Sequence, residues 1–117
     1  MGARRREIFE PSEDQITDAV VEHWRILGVA GSLVASIPNK RAFGQAGLTP
    51  GLPDLLVLSP TLGDKTGFIE LKRGRGGRLS DAQINILMLL RLRGVPYAVC
   101  KGRNEPIAQL REWGAIR

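Results

Sequence analysis

Cysteine, histidine and aromatic residues are scarce in this sequence, and each scarcity narrows what the protein can be. The chain has one Cys and one His. An intramolecular disulfide is therefore impossible, and a zinc-binding His/Cys cluster cannot be assembled. The single His has no plausible arrangement for a Ser-His-Asp triad. Aromatic residues make up only 5% of the chain, which argues against a platform of stacked bases as the main recognition device.

Long apolar runs are also missing, since no stretch approaches the roughly 18 residues of a membrane span. The first residues, "MGARRREIFEPSED", contain no apolar core of a secretory signal. We therefore expect a protein without membrane segments in a reducing compartment, the cytoplasm of a bacterial or phage-infected cell. The length predicts one domain over residues 12–117, preceded by a basic N-terminal arm at residues 1–11.

Positive charge, in contrast, is plentiful. Seventeen Lys and Arg oppose twelve Asp and Glu, which gives a net charge of +5 and a pI near 10.1. Such a balance favours a polyanionic partner such as nucleic acid, although a merely solvated basic surface would have the same composition.

The patterning predicts helices and strands in the order α-β-β-β-α-β-α. Helix starts are marked by Ser12 with Gln15 and by Ser80 with Gln83, two candidate capping boxes, and by Asn104 as a cap. The predicted helices cover residues 13–27, 81–93 and 105–113, and the predicted strands cover 33–37, 54–58, 66–73 and 95–101. Because a helix joins the last two strands, those strands should be parallel. The pattern predicts an α/β fold, a small mixed sheet flanked by helices.

The stretch "GLPDLLVLSPTLGDKTGFIELKRG" reads as two apolar strands joined by a turn, yet it carries charges where the strands should meet. Glu70 and Lys72 lie two apart and share one face, and antiparallel pairing brings Asp54 to the same end. Two carboxylates this close repel unless a cation lies between them, and Mg²⁺ prefers such oxygen ligands. This pattern favours metal-assisted phosphodiester hydrolysis. The alternative is a surface ion pair between Glu70 and Lys72, with Asp54 capping a turn.

"PDLLVL…FIELKRG" resembles the PD-(D/E)xK nuclease superfamily. "SIPN…GLTPGLPDLLVL", "GFIELKRGRGGRLSDAQ" and "LRLRGVPYAVCKG" are similar to the VRR-NUC family within it. The resemblance covers residues 12–103 and implies a restriction-endonuclease-like αβββαβ core. It also implies a Mg²⁺- or Mn²⁺-dependent DNA endonuclease with Asp54, Glu70 and Lys72 in its site. Stand-alone members are similar to Holliday-junction resolvases and form homodimers, while members fused to larger repair enzymes act on flaps and crosslinks.

The family pattern also includes a glutamate in the first helix, and helical phase separates the two candidates. Glu13 lies on the stripe of Ile16 and Val20 that should face inward, whereas Glu22 falls on the opposite side. We assign Glu13 to the site as a metal ligand with Asp54, Glu70 and the backbone carbonyl of Leu71. The alternative for Glu13 is a first-turn carboxylate that favours the helix dipole.

A glutamine at the start of the second helix is the other family feature, and Gln83 matches it. Gln83 shares a stripe with Ile86, Leu87 and Leu90, so it should face inward, near Glu70. There it would hydrogen-bond Lys72, the attacking water or a phosphate. A plain capping-box role is an equal alternative.

Arginines and glycines follow the charged strand in "KRGRGGR". Glycines let the backbone approach a phosphate closely, and arginine contacts there position a duplex without reading its sequence. The predicted DNA-binding residues are Lys40, Arg41, Arg73, Arg75 and Arg78. Together with these basic residues, the resemblance to the VRR-NUC family implies a Holliday-junction-resolvase-like homodimer. Its alternatives are a flap, nick or non-selective nuclease, and a DNA-binding module without activity.

Overall fold

The computed structural model describes residues 10–38, 46–75 and 77–117 of the chain. The helices are α1 (Glu13–Leu27), α2 (Asp81–Leu92) and α3 (Asn104–Glu112), and the strands are β1 (Leu33–Ser36), β2 (Leu55–Leu58), β3 (Gly67–Lys72) and β4 (Tyr97–Lys101). The predicted order is confirmed. Among the described residues, no helix is long and apolar enough to cross a membrane. The predicted arm lies almost entirely outside the described residues, and its boundary stays a prediction.

The four strands form one sheet in the order β1-β2-β3-β4. β1 and β3 pair antiparallel with β2, and β4 pairs parallel with β3. The connection from β3 through α2 to β4 is therefore the predicted parallel crossover. A mixed sheet with helices against it confirms the predicted fold class.

The core lies on one face of the sheet. Side chains alternate along a strand, so Leu55, Ile69 and Leu71 project to the same face, where they are fully buried. Ile16 and Val20 of α1 and Leu110 of α3 belong to the same cluster, which contains no residue of α2. Helix α2 therefore lies against the other face, the face of Glu70 and Lys72. None of its residues is fully buried.

Both predicted capping boxes are present. Ser12 Oγ accepts from the Gln15 N–H at 3.2 Å, and Ser80 Oγ accepts from the Gln83 N–H at 3.1 Å. The predicted Asn104 cap is wrong, because Asn104 is already helical and the preceding residue makes no side-chain cap. The side chain of Glu105 instead accepts from the Lys101 N–H at 2.7 Å, which links α3 to the end of β4.

The ends of elements account for the other differences from the prediction, since α2 and α3 each end one residue earlier than predicted. Asp54 precedes β2 rather than opening it, although its N–H still bonds the Ile69 carbonyl at 3.0 Å. β4 begins at Tyr97 rather than at Val95, since Pro96 has no N–H to give to a ladder. The other strands are one or two residues shorter than predicted.

Gly51 places the segment before β2 against the start of α2. Its φ of +93° is rarely adopted by other residues, and an added Cβ would lie 2.5 Å from the backbone of Ala82. Only glycine permits this close approach without a shift of one segment. The contact brings Asp54, three residues further along, and Gln83, at the first turn of α2, to the same end of the sheet.

Candidate active site

Glu70 is the centre of the candidate site, in the middle of the sheet. Only 1% of its surface is exposed, and Lys72, two residues on, is 7% exposed. The Lys72 ammonium lies 3.7 Å from Glu70 Oε2. The pair is thus buried rather than the surface ion pair of the alternative interpretation. Burying a charged pair is costly unless further partners satisfy both groups.

Gln83 supplies those partners from α2. Its Nε2 donates to Glu70 Oε2 at 2.8 Å, and its Oε1 accepts from Lys72 Nζ at 3.0 Å. The same Oε1 accepts from the Ser80 N–H at 2.8 Å and so completes the capping box. The two alternatives for this residue are therefore both present. One amide caps the helix and also orients the two charged groups beneath it.

Asp54 faces Glu70 from the residue before β2. Its Oδ2 accepts a hydrogen bond of 2.7 Å from the Leu71 N–H, which fixes the carboxylate beside β3. Two carboxyl groups then lie together in a poorly hydrated place. The pKa of Glu70 is raised to about 9. The largest cause is burial, followed by the charge of Asp54 and a hydrogen bond with it, whereas the charge of Lys72 lowers the pKa. A proton shared within the pair is the expected metal-free state.

Glu13 is the first residue of α1, and it is half-buried. Its charge makes the smallest of the contributions that raise the Glu70 pKa. Glu22 is exposed and pairs with Arg25 at 3.2 Å, on the solvent side as its phase predicted. Among the described residues, no group of three or more His, Cys, Asp or Glu is arranged to hold a metal. Asp54 and Glu70 form a pair, and the role of Glu13 as a ligand stays a prediction.

One feature of this pair fits a hard divalent cation. Glu70 Oε1 is buried, and no group of the described structure donates a hydrogen bond to it, so one carboxylate oxygen is left for another positive group. The role of the Leu71 backbone carbonyl as a further ligand stays a prediction.

The predicted basic residues surround the end of β3. Arg73, Arg75 and Arg78 are all exposed. An added Cβ at Gly77 would lie 2.9 Å from the Lys72 Cβ, so the loop folds closely over the lysine. The Arg75 N–H donates to Glu10 Oε2 at 2.6 Å. Lys40 and Arg41 lie outside the described residues.

Sequence reasoning missed Arg103, which lies beside this loop. A groove of about 510 Å³ runs between the start of α1, the loop and the start of α3, and Arg75 and Arg103 line it. Arg103 was not singled out because "KGRNEP" shows only a turn before a helix. Its place near Arg75 follows from the parallel pairing of β3 and β4.

The αβββαβ order, with an acidic pair and a lysine where β2 and β3 meet, defines a nuclease-type α/β fold. Comparison with family models then identifies the family: the VRR-NUC domain model matches residues 12–104, and the chain belongs to this family. The resemblance seen in the motifs is thereby confirmed.

Solved structures agree on the fold. A VRR-NUC domain protein superposes with a TM-score of 0.73 at 19% identity, over 91% of this chain and 90% of its own. A second structure, a VRR-NUC domain, gives a TM-score of 0.59 at 25% identity over 86% and 94%. A comparison with curated proteins finds no match.

The raised pKa of Glu70 makes stability depend on pH. The folded protein holds a proton that the unfolded chain releases above about pH 4.5. Stability of the metal-free protein should therefore fall as the pH rises from about 4.5 to about 9, by at most about 1.4 kcal/mol per pH unit. Urea unfolding across this range measures it. Glu70→Gln should flatten the dependence, whereas the exposed Glu22→Gln should not. Equal pH profiles for wild type and Glu70→Gln would contradict the shared proton.

Proposed function

We propose that this protein is a Mg²⁺- or Mn²⁺-dependent DNA endonuclease that hydrolyses phosphodiester bonds. The observation that carries the proposal is the buried Glu70. It faces a second carboxylate, touches a buried lysine and has an oxygen without a partner. A fold has little structural reason to bury such a group. A cation between the carboxylates accounts for the arrangement.

Asp54, Glu70 and the Leu71 carbonyl would hold the metal, with Glu13 as a further ligand from α1. Oxygen ligands of this kind suit Mg²⁺ and Mn²⁺. When bound, the ion would neutralise charge on the scissile phosphate and lower the pKa of a water. The carboxylates contribute by releasing their shared proton, which leaves two negative charges for the ion.

Lys72 would assist the attack of water on phosphorus. Gln83 and Glu70 hold its ammonium at the site, where a fixed positive charge stabilises the negative charge that develops on the phosphate oxygens. The water oxygen forms a bond to phosphorus and gives up a proton to the solvent. The bond from phosphorus to one sugar oxygen breaks, and that oxygen takes up a proton and leaves as a hydroxyl. Because the lysine is buried, water screens its charge less than at a surface.

The basic loop would position the DNA. Arg73, Arg75 and Arg78 follow the strand that carries Glu70 and Lys72, so their charges lie next to the site. Arg103 extends this surface along the groove. Arginines in this position would contact the phosphate backbone, which carries no sequence information. The protein would then select its substrate by the shape of the DNA, as a structure-selective nuclease does. Lys40 and Arg41 belong to the proposal as predictions.

A homodimer acting on branched DNA is the finer part of the proposal. The outer side of α2 exposes Ile84, Met88, Leu89 and Leu92, with Met88 63% and Leu92 77% exposed. A contiguous apolar surface on a small domain marks an interaction site. Two copies meeting there around a two-fold axis would present two sites to a four-way junction of matching symmetry. Such a Holliday-junction-resolvase-like activity would serve DNA repair.

Cleavage assays test the proposal directly. The purified protein with Mg²⁺ or Mn²⁺ should cut a labelled four-way junction in preference to a flap, a nicked duplex or a linear duplex. Asp54→Asn and Lys72→Ala should each lower the rate by at least about 100-fold, because each removes a group that stabilises the transition state, while gel-shift affinity should stay close to the wild type.

Lys65→Ala is the matched control, since Lys65 is an exposed lysine in the turn before β3. It should cut at the parental rate. Preferred flap or nick cleavage would refute the resolvase activity and leave the nuclease. Tight binding without cleavage in either metal would identify a DNA-binding module instead.

Salt dependence tests the basic loop. Arg75→Ala combined with Arg78→Ala should weaken DNA binding and reduce the slope of log K against log [salt] by about 2, since each phosphate contact contributes about 0.9. Fluorescence anisotropy with a labelled junction measures the slope. Arg25→Ala removes an exposed arginine that pairs with Glu22 on α1 and should not change it. An unchanged slope in the double variant would exclude the loop from the interface.

Sedimentation measures the proposed dimer. The wild type should sediment as a dimer at micromolar concentration, and Met88→Glu should sediment as a monomer because it places a charge in the apolar contact. Ile26→Glu provides a control at another exposed apolar residue, on α1. A monomeric wild type, or a dimeric Met88→Glu variant, would rule out this surface as the interface.

A further inference from the structure

Tyr97 is the one tyrosine of the chain, and it belongs to the face of the candidate site. It opens β4 and pairs directly with Phe68 of β3. Partners in register project to the same face of a sheet, and Phe68 shares its face with Glu70 and Lys72. The ring therefore lies in the layer between the sheet and α2, where Gln83 joins the two charged groups.

The Tyr97 hydroxyl is buried and has no hydrogen-bond partner among the described residues. Leaving a buried donor unpaired is unfavourable, and such groups in a folded protein call for an explanation. Burial, together with the charges of Glu70 and Asp54, raises the pKa of Tyr97 to about 12. The phenol thus lies within electrostatic reach of both carboxylates and keeps its proton as a donor.

An unpaired acceptor complements this unpaired donor. Glu70 Oε1 has no hydrogen-bond partner within the described structure, while Oε2 already accepts from Gln83. The two atoms are not hydrogen-bonded to each other in this structure, although their strands are neighbours and their side chains share one face. Each carboxylate oxygen has more than one lone pair, so Glu70 Oε1 could accept from the hydroxyl and still bind a cation.

We propose that Tyr97 is a positioning residue of the metal site: when a cation binds, its hydroxyl donates to Glu70 Oε1 and holds the carboxylate in the orientation that binds the cation. This inference rests on the proposed function, since it requires a metal to bind at Glu70. Asp54 from the β2 side, Gln83 from α2 and Tyr97 from β4 would then all constrain one carboxylate.

Tyr97→Phe removes the hydroxyl alone and is the decisive variant. Titration of the metal-free full chain with Mn²⁺, followed by electron paramagnetic resonance of the free ion, gives a dissociation constant without any DNA or activity. Loss of a hydrogen bond to a charged group should raise the Mn²⁺ dissociation constant of Tyr97→Phe about tenfold. The thermal midpoint of the metal-free variant should equal or exceed that of the wild type, because a buried donor without a partner has been removed.

Ser59→Ala is the matched control. Its hydroxyl is also buried, but it donates to the Trp113 carbonyl at 2.5 Å and accepts from the Leu62 N–H at 3.2 Å, near the other end of the sheet. This variant should lower the thermal midpoint and leave the Mn²⁺ dissociation constant unchanged. Loss of a structural hydroxyl should lower the thermal midpoint, as in Ser59→Ala. Loss of a positioning hydroxyl should instead raise the Mn²⁺ dissociation constant, as in Tyr97→Phe.

Each outcome decides the proposal. Weaker Mn²⁺ binding at an unchanged or higher midpoint supports it. Equal Mn²⁺ affinity in wild type and Tyr97→Phe overturns the role of Tyr97 and leaves the proposed nuclease intact. A loss of affinity accompanied by a fall in midpoint as large as that of Ser59→Ala would show a structural role only. A wild type that binds no Mn²⁺ overturns the proposed function as well.

Discussion

The rest of this structure depends on one constraint, the burial of the Glu70 carboxylate beside the carboxylate of Asp54. Glu70 lies in the central part of the sheet, and Asp54 is fixed beside it by the Leu71 N–H. Two like charges in a poorly hydrated place are unstable without a proton, a cation or strong donors. The neighbouring groups supply donors on one side and leave an oxygen free on the other. The stability of the fold therefore favours a proton on the Glu70 carboxylate, whereas the proposed chemistry requires a cation there instead.

Gln83 connects this charged group to the folding of the second helix. A capping box on its own stabilises a helix start by satisfying N–H groups that the helix leaves unpaired. Here the capping oxygen also accepts from Lys72, and the amide nitrogen reaches Glu70. The helix cannot shift along the sheet without breaking these bonds. Gly51, packed against Ala82, restrains the same end from the side of β2.

Much of the fold was predictable, because it depends on local rules. Capping residues and apolar periodicity gave the element order and the bounds of α1, and helical phase separated Glu13 from Glu22. The Asn104 cap failed because the helix begins one residue earlier than the pattern indicated, and Glu105 bonds the Lys101 N–H instead. Tyr97 escaped sequence reasoning because its place depends on tertiary structure. In "VPYAVCK" it is an ordinary strand residue, and only the parallel register with β3 places it beside Glu70. Periodicity predicts which side of an element faces inward, but it does not predict which strands become neighbours.

Asp54 shows how one residue can end a strand pair and also belong to a site. It lies outside β2, yet its N–H bonds the Ile69 carbonyl at 3.0 Å and its side chain accepts from the Leu71 N–H at 2.7 Å. In a longer antiparallel ladder a backbone carbonyl would accept from that N–H. Here a carboxylate takes the place of the carbonyl, so the group that completes the hydrogen bonding of β3 also lies beside Glu70. An amide side chain could serve the sheet in the same way, whereas the charge of the carboxylate is needed only by the proposed metal site.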